Sequence, residues 1–444
     1  MRAQCTPEQV SDHVTNPERP ALTGQQKRLR WKATLAAMSL DAIPGLYVGS
    51  SPLVEFMNDT VPAGVSAWLA PGVTQPAVFI VFALCFFFPL YAHLLRKKKI
   101  TVKTMGLLSV LGTAFPLSIA VTAGGGGFWV QYAGAAVGGA GLMAAQFVEK
   151  IVAIQWWALT GDAAKGAALL GCSVGVWSVA FTLLSADLCQ RLGLENAMYF
   201  LAAVIFAASL FPLWLAGSGE LQAPEPAEMP VPSQPLGGGV DFRVRDLLRS
   251  LSFWQLLFHF TAFFLFGFGQ KALLSPIFQA TYNVTYVESA RFAAAVIAIY
   301  AAVRGVLPLV TRRLPLLAVN VGLLAFSAVL YACFPAIVGS LPICWLVAAK
   351  TLTGASFAGQ STLRNLLVLE VYGAADLANV LPLLEAGVGV GKSLGPLIGY
   401  YTYLADQEAG EGSHAAYNPF FYACAAVAAA DAINMMVLYS RTRR

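Results

Sequence analysis

The chain has 444 residues, 57 % of them apolar or aromatic and only 11 % charged, where a soluble domain carries about a quarter charged residues. This composition excludes a soluble enzyme. Apolar runs of about 20 residues, the length of one membrane crossing, recur along almost the whole chain, which excludes a globular body held by one or two anchors. The formal net charge is +5, but in a membrane protein the placement of charge matters more than its sum. Cys5, Cys85, Cys172, Cys189, Cys333, Cys344 and Cys424 stand at no metal or redox spacing. Neither a disulfide framework nor a metal or other cofactor is expected.

Taken in chain order, the apolar runs predict an all-α polytopic membrane protein of about twelve transmembrane helices. They lie near residues 31–56, 74–95, 103–122, 128–150, 166–186, 196–216, 252–279, 287–311, 315–335, 341–365, 374–404 and 418–440. Residues 1–30 form a polar amino tail and residues 31–216 a first set of six helices. Residues 217–250, with Pro224, Pro226, Pro230, Pro232, Pro235 and Gly237 to Gly239, form a linker that cannot continue a helix. Residues 251–440 form a second set of six, and 441–444 a short tail.

Basic residues cluster in the amino tail, at Arg96 to Lys99, in the linker, at Arg312-Arg313 and in the carboxyl tail, and the alternate connections are nearly free of them. By the positive-inside rule both termini face the cytoplasm. No short apolar core with a small-residue cleavage site precedes the first run, so no removable signal peptide is expected. The sequons at Asn58 and Asn283 fall in connections predicted to lie outside.

The two sets echo each other. Ser51-Pro52-Leu53 recurs as Ser275-Pro276-Ile277, and the stretch Ala140 to Gln146 as Gly354 to Gln360. Paired irregularities of this kind predict a duplicated six-helix unit with a site between the copies.

Glycines Gly138, Gly139 and Gly141 run on to Trp156-Trp157 and Lys165-Gly166; Arg304-Gly305 precedes Arg312-Arg313; Gly387, Gly389 and Gly391 lead to Gly395-Pro396. In this layout the chain resembles the major facilitator superfamily, and within it the oxalate/formate antiporter and monocarboxylate-porter-like group. The resemblance implies two pseudo-symmetric six-helix bundles, a monomer and a basic residue in each of the eighth and eleventh helices. The superfamily's acidic signature between helices two and three is reduced here to Leu94, Leu95 and the run Arg96 to Lys99, near His93. Its carboxylate is missing, so the latch it forms is not expected.

An ionisable group at mid-bilayer costs about 2.5–3.5 kcal/mol, so each one needs a partner, a cavity or a function. Arg304, Lys350 and Lys392 are expected near one depth in three helices of the second set, as a cationic pocket for a carboxylate. Arg304 would give a planar two-pronged grip and a lysine a point charge. The competing reading pairs these cations with Asp41, Glu385 and Asp431. Glu385 and Lys392, seven residues apart on one helix face, are close enough to communicate through a water or a ligand. Asp41, before Pro44 and Gly45, is expected at a loosened helix, as proton carrier or as ion-pair partner; Glu385 is the second coupling candidate. Asp431 is expected to face a neighbouring helix. Lys271 is expected to snorkel at the outer end of its helix. Gln146 and Gln360 either hydrogen-bond a substrate or staple helices. Tyr47, Tyr132 and Tyr300, with Trp129, Trp177 and Phe266, are candidate walls of the site.

The run Ala386 to Ser393 is one residue from a phosphate loop, but it lies in an apolar helix with no preceding strand, so nucleotide binding is rejected. No catalytic triad or metalloprotease motif is present, and neither enzymatic activity nor a nucleic-acid partner is expected. The expected function is secondary transport of small organic anions by alternating access, with protons or a counter-anion as driving partner. The alternatives are a transporter of a neutral or zwitterionic solute, such as an amino acid or sugar, and a non-transporting receptor on the same scaffold. The plasma membrane is the default location.

Overall fold

A computed structural model of the chain describes residues 23–49, 51–58, 60–61, 70–96, 102–147, 153, 156–157, 163–216, 244–310, 314–338, 340–408 and 417–442. Residues 1–22 of the amino tail, 217–243 of the linker and the basic turn at 311–313 lie outside them. Among the described residues the regular structure is helical throughout.

The first predicted crossing is three helices: α1 (Gly24–Leu40), α2 (Ala42–Gly49) and α3 (Leu53–Asn58). Thr23 opens α1 with a reciprocal cap: its hydroxyl accepts from the Gln26 backbone N–H at 3.2 Å, and the Gln26 side-chain oxygen Oε1 accepts from the Thr23 N–H at 2.9 Å. The break at Asp41 has a local cause, because Pro44 offers no N–H to the carbonyl of Leu40. Pro52 separates α2 from α3 in the same way. Along α1 Trp157 donates to the Thr34 hydroxyl at 3.0 Å, and the Arg30 guanidinium lies 4.1 Å from its ring centroid.

The second crossing is α4 (Pro71–Ile80), a π-helical turn (Val81–Phe87) and α5 (Phe88–Arg96). The third is α6 (Val102–Leu108), a 3-10 turn (Ser109–Thr113) and α7 (Ala114–Ala123), and the fourth is α8 (Val130–Phe147). The fifth and sixth are continuous as α9 (Ala163–Ala216), which bends at Gly193, where φ is 78°; only glycine adopts that angle without strain. Beyond the linker come α10 (Val244–Arg249), α11 (Leu251–Ala272), α12 (Leu274–Tyr282), α13 (Tyr286–Val310) and α14 (Leu316–Ile337). The last are α15 (Ile343–Glu408), which holds the tenth and eleventh crossings, and α16 (Asn418–Thr442).

A straight helix of the 66 residues of α15 would be about 100 Å long, three times the hydrocarbon core. Arg364 and Glu385 nevertheless touch at 2.7 Å, although 21 residues along a straight helix would hold them about 30 Å apart. The chain therefore reverses between them, and α15 crosses twice. Seven of the described helices are long and apolar enough to cross a membrane. The first and fourth predicted crossings and the two within α15 are not among them; the first is broken at Asp41 and Pro52, and the fourth is diluted by glycine and glutamine.

Small residues set the helix spacing. A Cβ on Gly141 of α8 would fall 2.6 Å from the Leu111 carbonyl carbon and the Gly112 Cα, which are backbone and cannot turn away. Gly141→Ala is expected to destabilise the protein by about 1–3 kcal/mol, measured as a lower melting temperature in detergent.

The repeated Ser-Pro pairs meet. The Ser275 N–H donates to the Ser51 hydroxyl at 2.9 Å, and the Tyr286 hydroxyl donates to the Pro52 carbonyl. Asn58 extends this contact by donating to the Tyr400 hydroxyl at 3.0 Å while accepting from the Gly72 N–H at 2.9 Å. The two helix sets are thus held together at this end, and the sequon asparagine Asn58 takes part in that contact.

Candidate functional site

The kink in the seventh crossing positions the first half of the site. Pro276 withholds an N–H from the carbonyl of Ala272, so α11 stops there and Lys271 sits in its last turn. The negative end of the helix dipole favours a cation at that place. Lys271 is only 9 % exposed, and its ammonium lies 3.5 Å from the centroid of the Tyr300 ring. The Arg304 guanidinium, one turn along α13 from Tyr300, lies 5.5 Å from the same centroid. Such contacts with an aromatic ring offset part of the cost of burying a cation.

Lys350 supplies the third charge from α15. It is 3 % exposed, donates to the Gln270 side-chain oxygen at 2.7 Å, and lies 4.6 Å from the ring centroids of both Phe334 and Phe421. Gln270, Lys271, Tyr300, Tyr331, Lys350 and Thr353 line one cavity of about 30 Å³, room for a water or two. No carboxylate lines it, and among the described residues neither Lys271 Nζ nor Arg304 Nε has a hydrogen-bond acceptor.

The carboxylates lie elsewhere. Glu385 accepts from Arg364 at 2.7 Å, with both side chains buried. Asp431 accepts from His259 at 2.7 Å, and the other ring nitrogen of His259 meets the Asn320 amide at 3.0 Å, which ties α11, α14 and α16 together. Asp41 is buried at the cap of α1, in the other helix set.

The expected pocket cations are not all gathered. Lys350 and Tyr300 share the cavity and Arg304 approaches it through the Tyr300 ring, but Lys392 is half-buried beside Phe264 and Phe268, 5.0 and 5.7 Å from their centroids. Arg364 lies against the same Phe264 ring at 5.4 Å, and Lys392 does not line the cavity of Lys350. Tyr47 stacks on Phe268 at 5.2 Å and lines a second, smaller cavity between the helix sets, bounded by Val54, Gly72, Pro76 and Pro396. Tyr132 bonds the Thr74 hydroxyl at 2.7 Å and lines neither cavity. Gln360 donates to Ser356 of its own helix at 3.2 Å, and Ser356 bonds Ser327 at 2.7 Å. Gln146 is half-buried and also lines neither cavity.

Two residues change their expected roles. Lys271 does not snorkel; the helix break turns it inward onto Tyr300. Arg364 was not a candidate, and the signal that would have found it is a cation facing Glu385 across the reversal of α15.

No family model matches the chain, and no curated protein sequence matches it. Solved structures match in fold. The POT family transporter PepTSo superposes with a TM-score of 0.69 at 16 % identity, over 95 % of this chain and 99 % of that one. The human organic anion transporter MFSD10 (TETRAN) gives 0.63 at 17 % identity, over 93 % of this chain and 100 % of that one. A proton dependent oligopeptide (POT) family transporter gives 0.66 at 16 % identity, over 90 % and 99 %. The chain therefore has the all-α polytopic membrane fold of the major facilitator transporters.

Proposed function

We propose that the chain is a secondary active transporter of small organic anions, working by alternating access of its two helix sets around a midplane site. The observation that carries this reading is the cation cluster at Tyr300: Lys271 and Lys350 line one cavity, Arg304 lies against the same ring, and among the described residues no carboxylate lines that cavity. A buried uncompensated charge is costly, and an anionic substrate supplies the missing compensation. The likeness of fold to an organic anion transporter agrees with it, as does the layout shared with the oxalate/formate antiporter and monocarboxylate-porter-like group. Asp41 and Glu385 are the carboxylates proposed to carry a coupling proton. Both termini are proposed to face the cytoplasm, with the plasma membrane as the location.

The test is uptake of labelled monocarboxylates and dicarboxylates into proteoliposomes, with and without an inward proton gradient and with or without internal unlabelled anion. Uptake that follows the proton gradient identifies a symporter, and uptake that needs internal anion an exchanger. Arg304→Gln is expected to lower either by at least tenfold while the protein remains folded. A second reading is a zwitterion or short peptide, favoured by the buried Arg364–Glu385 pair, which offers both signs of charge, and by the fold shared with the POT family structures. Movement of an amino acid or dipeptide with no carboxylate uptake would select it.

A further inference from the structure

A second buried cluster of titratable groups lies away from the cations at Tyr300. His259 of α11, Asp431 of α16 and Asn320 of α14 are all fully buried. The ring meets the Asp431 carboxylate through Nδ1 at 2.7 Å and the Asn320 amide nitrogen through Nε2 at 3.0 Å. Asn434 fixes α16 beside the pair by donating to the Gln255 carbonyl of α11 at 2.8 Å.

These contacts fix the number of protons. An amide nitrogen donates and a carboxylate accepts, so with the Asn320 nitrogen turned to it Nε2 carries no hydrogen, and Nδ1 donates to Asp431. One proton then lies between ring and carboxylate, and the pair keeps the negative charge of Asp431. The ring can take a second proton only where Nε2–H finds an acceptor. The Asn320 carbonyl oxygen has no partner among the described residues, and it becomes that acceptor when the amide turns over.

The packed elements bring no other cation to Asp431. α14 carries no charged residue, α16 only Asp431 and Arg441 in its last turn, and α11 only Lys271 besides His259. α15 approaches this part of α11 with Phe357, stacked on Phe263, which in turn stacks on the His259 ring. Its Arg364 and Glu385 neutralise each other, Lys350 and Lys392 lie farther along α11, at Gln270 and at Phe264 and Phe268, and Glu370 is exposed. α10 ends ten residues before His259. A buried carboxylate without a cation is costly, and a doubly protonated ring is the cation this one can have.

We infer that His259, Asp431 and Asn320 form a proton-binding site, in which the ring takes a second proton as the Asn320 amide turns its oxygen to Nε2. The site joins the seventh, ninth and twelfth crossings, so the grip of α11 on α14 and α16 changes with its protonation. Lys271 stands twelve residues farther along α11, about 18 Å at 1.5 Å per residue. The proton site is therefore separate from the cations at Tyr300, and it holds whichever solute the protein carries.

The experiment is nitrogen NMR of the full-length protein in detergent, isotope-labelled at the histidine ring nitrogens, with His13, His93 and His414 replaced by Gln so that His259 is the one histidine left. At about pH 8 the ring is expected to show a protonated Nδ1 and a bare Nε2, and at about pH 5 a proton on both. Asn320→Leu removes the acceptor and is expected to keep Nε2 bare across that range, whereas a ring held by Asp431 alone would titrate as in the parent. A parent ring that keeps one proton throughout, or that carries a hydrogen on Nε2 at about pH 8, overturns the inference. An unchanged transition in Asn320→Leu overturns it as well. The parent titration decides the matter even where Asn320→Leu fails to fold. None of these outcomes touches the anion reading, which stands or falls on the uptake assay.

Discussion

Arg364→Leu is expected to lower stability by about 3–5 kcal/mol, because it leaves Glu385 in the protein interior without its cation. The two side chains are 9 % and 1 % exposed and meet at 2.7 Å, so solvent screens the pair little. Arg364 also lies against Phe264, beside Lys392, and its loss removes packing as well as charge. The double variant Arg364→Met with Glu385→Leu is expected to recover most of the loss, since an apolar pair of similar volume replaces a buried ion pair at little cost. Melting temperatures of the single and double variants in detergent decide the matter. Equal losses in Arg364→Leu and in the double variant would mean that packing around Phe264, and not the ion pair, holds the reversal of α15 together.

Gly175→Val is expected to shift the arrangement of the two helix sets. Gly175 in α9 faces Ala301 in α13, where a Cβ would stand 2.8 Å from the Ala301 Cα and overlap its Cβ. Beside it, Cys172 fills the space above Gly305 and its thiol meets the Ala301 carbonyl at 3.6 Å. Valine here must push α9 and α13 apart, and overpacking of this kind costs about 1–3 kcal/mol, which changes a two-state equilibrium by about 5- to 150-fold. The contacts between the helix sets through Ser51, Pro52 and Asn58 are expected to open. The check is a spin-label distance between Thr60 and Asn283, in a background without the seven native cysteines: the variant is expected to populate longer distances and to transport at least fivefold more slowly. An unchanged distance distribution would show that α9 and α13 accommodate the side chain without moving the halves.

These expectations draw on different layers of the molecule. The amino-acid sequence by itself determined the membrane class, since apolar runs of spanning length recur along it with far fewer charges than the quarter typical of a soluble domain, and it marked some of the places where helices break. Asp41 with Pro44, and the two Ser-Pro pairs, stand at breaks where proline removes a donor, although Pro76, Pro212, Pro308, Pro335, Pro382 and Pro396 lie inside continuous helices. It also marked Arg304, Lys350 and Tyr300 as candidates, polar groups in apolar runs; Lys350 and Tyr300 are buried and Arg304 is half-buried. What it left open was rotation. A crossing helix is apolar all round, so its pattern carries little information about which face meets which neighbour.

Only the tertiary structure decided that Lys392 lies against Phe264 and Phe268 instead of lining the cavity of Lys350. It also turned Lys271 inward, because a kink at Pro276 acts on the residues before it in a direction set by the neighbouring helix. The partner of Glu385 depends on a chain reversal that brings together residues 21 positions apart, a contact that local spacing cannot encode. Charge type and helix break are properties of residues and were legible; pairing is a property of packing and was not.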